Sequence, residues 1–391
     1  MKKPASNRAN FWAAAFLMAT SAIGPGFLTQ TTVFTQSLLA SFGFIILLSI
    51  LIDIGVQLNI WRIITGINKP AQDIANALFP GLGMVLSALI VLGGLAFNIG
   101  NVAGAGLGIE VITGMDVRIG ASLSAVIAIV LMLSKDASKA MDGFVKILGI
   151  LMLVLTAYVA FVAKPPVREV LYRSFWPERL DWKALITIVG GTVGGYICFA
   201  GAHRLLDTPS AEPYTPGKVS GAAIKGILTA SAMRILLFLA ALGVMTNGFI
   251  PDPSNPAASV FRQAAGETGF RLFGIVMWSA AITSVIGSAF TAVSFISSYH
   301  PLLQKYRQQL IIGFILLSAV IFLSVGRPVT LLVWAGMVNG FILPVSLIIL
   351  LAALQKQSIN NGYRHPKWLS ISGALIALAL AIIAGQVIMG E

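Results

Sequence analysis

An all-α integral membrane protein is the fold class this sequence predicts, and three observations predict it. Of 391 residues, 57% are hydrophobic and only 10% are charged, whereas soluble domains carry about 25% charged residues. The apolar residues gather into runs long enough to cross a bilayer, which takes roughly 20 residues per helix. No hydrophilic stretch is long enough for a separate soluble domain, so one transmembrane domain over 1–391 is expected.

About 11 spans are expected, near 11–40, 43–63, 83–112, 118–134, 144–163, 184–205, 217–247, 269–298, 308–325, 329–353 and 368–388. The first follows a short basic start, Met1 to Arg8, with no small-residue cleavage site, and is too long for a signal-peptide core, so it reads as a retained helix. It contains Gly24-Pro25-Gly26-Phe27 followed by Thr29 and Gln30. Pro disfavours a helix interior by about 3 kcal/mol. Irregular backbone at membrane depth survives where it is buried in protein or lines a polar cavity. Discontinuous helices of this kind form the central site of secondary transporters. Gly24, Pro25, Gly26, Phe27, Thr29 and Gln30 are therefore candidate substrate-binding residues.

The second span encloses Asp53 and Gln57, the third carries Asn98 and Asn101, and the fourth and fifth hold no candidate residue. The sixth opens on a glycine-rich run, Val189 to Arg204, that includes Gly194-Gly195, Phe199, Gly201 and His203. Glycine there serves either a second break or close helix packing. Interruptions in the first and sixth spans are the pattern of two five-helix repeats of inverted topology. The repeats would cover about 11–163 and 184–353, with an extra helix at about 368–388. The seventh span holds Arg234, and the eighth holds Thr283, Ser284, Ser288 and Thr291.

The formal charge of +12 is dispersed over short connections, which argues for membrane orientation rather than nucleic-acid binding. With the N-terminus cytoplasmic, 14 Lys and Arg fall in inside segments and nine outside. The positive-inside rule then places the C-terminus outside. A location in the cell (inner) membrane is expected. The connection 164–183 opposes this orientation with five basic residues. Cys198 is the only cysteine, so no internal disulfide and no cysteine metal cluster is available.

Four segments carry a family resemblance: Gly24-Pro25-Gly26-Phe27, Ser41-Phe42-Gly43, Asn98 to Gly104, and Asn339-Gly340 to Leu343-Pro344. Together with helix number and spacing, they resemble the Nramp family over nearly the whole chain. The resemblance implies proton-coupled transport of divalent metals such as manganese or iron, on the inverted-repeat fold of the amino acid, polyamine and organocation transporters.

The departures fall at the chemistry. The family's metal site uses Asp-Pro-Gly-Asn in the first break and Met-Pro-His in the sixth helix. Laid on the first motif, Gly24 replaces the Asp and Phe27 the Asn; aligned on the Gly-Pro-Gly upstream of it, the motif falls on Thr29 to Leu38, which also lacks an acid. In the sixth helix the counterpart is Ala200-Gly201-Ala202, with His203 the one ligand type left, and the family's Asp and Glu of helix 3 become Asn98 and Asn101. Hard divalent cations want oxygen ligands, usually including carboxylate, so no metal ligand set is assigned.

The expected function is a secondary active transporter, a symporter of a small organic solute. A carboxylate is favoured because a broken helix presents free N–H groups and a positive dipole end. The Gly201 to Asp207 run looks like a bacterial subset whose genes neighbour 5-oxoprolinase components, which makes 5-oxoproline a candidate. Phe199 and Gly201 join the candidate substrate residues, and His203, Asp53 and Arg234 are candidate coupling residues, since intramembrane charges are costly and so often functional. Thr283, Ser284 and Ser288 form a candidate sodium site. The coupling ion would be H+ or Na+; no cofactor is expected, and the partners are the solute or ion and the lipid bilayer. The alternatives are a proton-coupled divalent metal transporter with an altered site, or a channel or non-transporting receptor. Neither a nucleophile-base pair nor spaced carboxylates lie in the spans, so an enzyme is not expected.

Overall fold

The computed structural model describes residues 7–207, 215–360 and 362–390. In chain order the helices are α1 (Asn7–Ala22), α2 (Pro25–Leu38), α3 (Phe42–Ile67), α4 (Ala71–Leu78), α5 (Leu82–Thr113), α6 (Val117–Leu133), α7 (Lys135–Ala163) and α8 (Val167–Arg173). They continue as α9 (Trp182–Val193), α10 (Tyr196–Asp207), α11 (Pro216–Thr246), α12 (Pro256–Ser297), α13 (Pro301–Lys305), α14 (Arg307–Val325), α15 (Pro328–Ala353) and α16 (Lys367–Met389). Every expected span falls on helix, the first as α1 with α2 and the sixth as α9 with α10.

Among the described residues, eight helices are long and apolar enough to cross a membrane, or nine if the bent pair at α7 and α8 is one span. The lower number has local causes. α2 runs through a short 3-10 turn into α3 as one 43-residue stretch, and α6 has only 17 residues. α4 and α8 were not expected, because a short amphipathic helix leaves no long apolar run. α12 begins at Pro256, well before the expected 269. Asn255 caps it by accepting from the Ala258 N–H, and Pro256 supplies the first turn. Gly266 breaks it there with φ 63°, in the left-handed region glycine tolerates.

α5 and α12 pack on each other along their lengths and carry α2 between them. A Cβ on Gly104 would overlap the Pro25 ring, and one on Gly108 would stand 2.8 Å from Trp278 Cβ. α9 crosses α15 backbone to backbone: a Cβ on Gly190 would strike the Gly336 carbonyl and the Gly340 nitrogen, and one on Gly340 the Ile186 carbonyl. Small residues at such crossings let helices approach without a polar tie. α1 closes against α11, where Gly226 faces Met18 Sδ at 2.9 Å from an ideal Cβ.

The connection 354–366 is held by a neutral imidazole. His365 shares hydrogen bonds with Tyr363 Oη at 2.9 Å and Asn59 Oδ1 at 3.0 Å. Burial, aided by the Arg62 charge, pushes its pKa down to about 4.

Candidate functional site

Two breaks meet in the middle of the bundle. In the first, Gly24 is extended (φ −117°, ψ −175°) and Pro25 starts α2. Gly24 offers no side-chain cap to the N–H groups of the first turn of α2. A Cβ on Gly24 would lie 3.4 Å from Ser284 Oγ and 3.6 Å from Asn101 Oδ1. The break therefore faces α5 and α12 at those two side chains.

In the second break, α9 ends with the Gly194 N–H donating to the Gly190 carbonyl at 3.0 Å, and Gly195 turns with φ +52°. The two halves still run on as one span, Trp182–His203. Asn339 of α15 sits against the turn. Its Nδ2 donates to the Gly93 carbonyl (3.0 Å) and the Ala335 carbonyl (2.8 Å), its Cβ is 2.8 Å from an ideal Cβ on Gly194, and a Cβ on Gly195 would overlap its Oδ1. Sequence reasoning quoted Asn339 only as part of a motif; the signal that could have raised it is an amide in an otherwise apolar span.

Several buried groups near the breaks are amides with spare bonding capacity. Gln30 is fully buried; its Nε2 donates to the Leu332 carbonyl at 2.8 Å, and its Oε1, packed beside Gly191, has no hydrogen-bond partner. Asn98 is fully buried with both amide atoms unpartnered, and Asn339 Oδ1 is unpartnered as well. Thr29 is buried on the same half-helix. Buried polar groups are otherwise almost always hydrogen-bonded, so each orphan needs an explanation.

The other sequence candidates separate into groups. Ser284 turns toward the first break, whereas Ser288 donates back to the Ser284 carbonyl (2.7 Å) and Thr283 to the Ser279 and Ala280 carbonyls (3.2 and 3.0 Å). Phe199 and Gly201 lie along α10 beyond the break. A Cβ on Gly201 would overlap the Trp61 indole, whose Nε1 donates to the Cys198 carbonyl at 2.8 Å, and Phe199 packs edge-on to Phe295 at 5.8 Å. His203 stacks on Phe295 at 4.9 Å, and its Nε2 accepts from the Ala71 N–H at the start of α4, at 3.3 Å. That bond fixes Nε2 as the acceptor, hence the neutral tautomer with the proton on Nδ1.

Asp53 and Arg234 line one narrow cleft with Phe27, as their positions in the second and seventh spans allow. Among the described residues no ion pair joins them. Gln57 does not serve Asp53 either, since both its amide atoms are unpartnered. Arg234 instead lies over the Phe27 ring at 4.3 Å and donates from Nη1 to the Ile188 carbonyl at 3.3 Å.

At the far end of α5 a cavity of about 340 Å³ opens, walled by Leu107, Glu110, Asp116, Arg118, Arg327 and Thr330 among others. Among the described residues no three of His, Cys, Asp and Glu stand close enough to share a metal ion.

The fold recurs in solved transporters. A manganese transporter of Eremococcus coleocola, in one of its mutant forms, superposes with a TM-score of 0.72 at 16% identity, covering 98% of this chain and 88% of that one. MhsT in complex with L-phenylalanine superposes with a TM-score of 0.69 at 17% identity, over 98% of this chain and 100% of that one. These likenesses establish the inverted-repeat fold of secondary transporters. In sequence the chain is 52% identical over 386 residues to the membrane protein YcsG of Bacillus subtilis (strain 168), spanning 98% of this chain and 96% of YcsG. The broken spans, the helix order and the sequence agree on one conclusion: residues 15–390 match the profile of the Natural resistance-associated macrophage protein-like (Nramp) family, and the chain belongs to it.

Proposed function

We propose that this chain is a secondary active transporter that has kept the Nramp scaffold and carries a small organic solute with a carboxylate group, 5-oxoproline being the first candidate. The observation that carries this reading is the chemistry around the breaks: unpartnered buried amides on Gln30, Asn98 and Asn339, with Asp53 the one carboxylate nearby among the described residues and sharing its cleft with Arg234. Amide oxygens and N–H groups suit a polar organic molecule. A hard divalent cation would have to shed its hydration for amides and, at most, a single carboxylate that shares its cleft with a guanidinium. The uncapped first turn of α2 adds N–H groups and a positive dipole end for a carboxylate.

Alternating access would work around the two breaks, with Gly24, Pro25, Gly26, Phe27, Thr29, Gln30, Asn98 and Asn101 about the solute. The repeats at about 11–163 and 184–353 and a cytoplasmic N-terminus are part of this reading. The 340 Å³ cavity beyond Leu107 is then the outward entrance. Phe199 and Gly201 would act by packing α10 rather than by touching the solute.

For coupling, Ser284 beside the Gly24 break favours sodium, held by its hydroxyl and by carbonyls of the broken first span. Proton coupling through His203 is the second choice, because its Nε2 is already occupied by the Ala71 N–H. Ser284→Ala is expected to reduce sodium-stimulated uptake in proteoliposomes at least tenfold while leaving folding intact. Unchanged sodium stimulation removes the site.

Divalent metal transport is the second reading, favoured by family membership and by the likeness to the manganese transporter. Thermal stabilisation of the purified protein separates the two, since a ligand of the native state raises apparent stability. The panel is manganese, magnesium, sodium, 5-oxoproline and common amino and carboxylic acids. A shift with a carboxylate and none with manganese is the expected result; a manganese shift alone overturns the organic-solute reading.

A further inference from the structure

Arg234 is 2% exposed, in the middle of α11. One guanidinium nitrogen is used, Nη1 on the Ile188 carbonyl. The other two, Nε and Nη2, are buried and have no hydrogen-bond partner. These two belong to one edge of the guanidinium plane, and their N–H bonds point the same way. That edge is the fork that grips both oxygens of a carboxylate at once.

The edge has a carboxylate neighbour that does not use it. Asp53 is 1% exposed, faces the same cleft as Ser49, Thr192 and Ser231, and leaves its Oδ1 unpartnered. Opposite charges buried in one cleft attract strongly, because little water screens them. That they stand unjoined, each with an orphaned face, is the arrangement of a receptor and a competitor rather than of a structural pair.

We propose that the Nε–Nη2 edge of Arg234 receives the carboxylate of the transported solute, and that Asp53, lining the same cleft, is the internal carboxylate that competes with it for this edge. The inference rests on the organic-carboxylate reading above and assigns the anion-binding group within it. The cleft is closed even to a water-sized sphere, whereas small-molecule pockets run to roughly 300–1,000 Å³. A solute carboxylate therefore reaches the edge only when the cleft opens, with the Phe27 ring moved off the guanidinium.

The position makes this occupancy consequential. Phe27 lies in the first turn of α2, and Ile188 and Thr192 lie in the last turns of α9. A carboxylate that draws Arg234 toward itself loosens its hold on the Phe27 ring and on the Ile188 carbonyl. Those are contacts to both broken spans. A ligand shifts a conformational equilibrium only through such a difference in contacts between states.

The test uses the full-length purified protein and pairs of small carboxylic acids with their primary amides: lactate, alanine and 5-oxoproline against the corresponding amides. Calorimetry on wild type is expected to detect at least one acid and not its amide. Arg234→Lys, which keeps the charge but loses the fork, is expected to weaken that acid at least tenfold. Asp53→Asn is expected to tighten it several-fold by removing the competitor. Arg234→Gln is a harsher change, and the Lys and Asn variants decide the matter if it fails to fold. A wild type that binds an acid with Arg234→Lys unchanged in affinity overturns the Arg234 assignment and leaves the organic-carboxylate reading standing. Weaker binding in Asp53→Asn overturns the competitor role. A wild type that binds none of the acids but binds manganese overturns the reading and the inference together.

Discussion

Gly190→Ala is expected to be among the most damaging single-methyl changes in the molecule, costing about 1–3 kcal/mol and lowering the unfolding midpoint in detergent by several degrees. The added Cβ would overlap the Gly336 carbonyl and the Gly340 nitrogen, which are backbone atoms of α15. A side chain can rotate away from an intruding methyl, but a helix backbone in a packed bundle cannot. As a control, Gly149→Ala on α7 adds its methyl where no atom stands within 4 Å, and it should leave the midpoint unchanged. Thermal unfolding of the two variants side by side checks the contrast; equal midpoints would remove the tight crossing of α9 and α15.

Asn339→Asp is the second change with a large expected effect, and it should abolish transport while Asn339→Ala only impairs it. The Asn amide donates to two carbonyls at once, Gly93 on α5 and Ala335 on α15. Ala removes both bonds, at about 0.5–1.5 kcal/mol each, since both carbonyls keep their helical N–H partners. Asp keeps the shape but has at most one proton to give, so a lone pair faces the second carbonyl; if ionised, it faces both with a negative charge. Uptake in proteoliposomes, normalised to folded protein, measures the order. Loss in Asn339→Ala with Asn339→Asp close to wild type would mean that the carbonyl ties do not matter and that only the fit against Gly194 and Gly195 does.

The spans were legible because bilayer thickness imposes a length that composition alone reveals. The first break was legible for a related reason: Pro25 lacks an N–H, and the local sequence must show it. The second break was only half legible. Gly194-Gly195 permits a turn, yet glycine pairs equally serve packing, and what stands against this pair is Asn339, far along the chain. α4, α8 and the start of α12 at Pro256 escaped because short helices at membrane edges carry no long apolar run. Phe199 and Gly201 show the limit from the other side. Their position beside the break suggested solute contact, whereas the helix turns them onto Trp61 and Phe295. Spacing along one span gives neighbours, but not which neighbour from another span fills the space.

The two halves of the sixth span are mounted on different frames. α9 is seated on α15 through glycine backbone contacts, and α10 is fastened to α3 by the Trp61 indole and to α4 by His203. Between them stands a joint of two glycines with no side chains to resist torsion. Such a span behaves as two levers on one pivot, and a swing of α10 need not drag α9 off its seat. A carrier must never open both doors together, and independent levers allow one to move while the other stays latched. Leak through the protein is then governed by how firmly each lever is seated, whereas the speed of turnover is governed by the pivot. Stiffening the pivot should slow the cycle without making it leak.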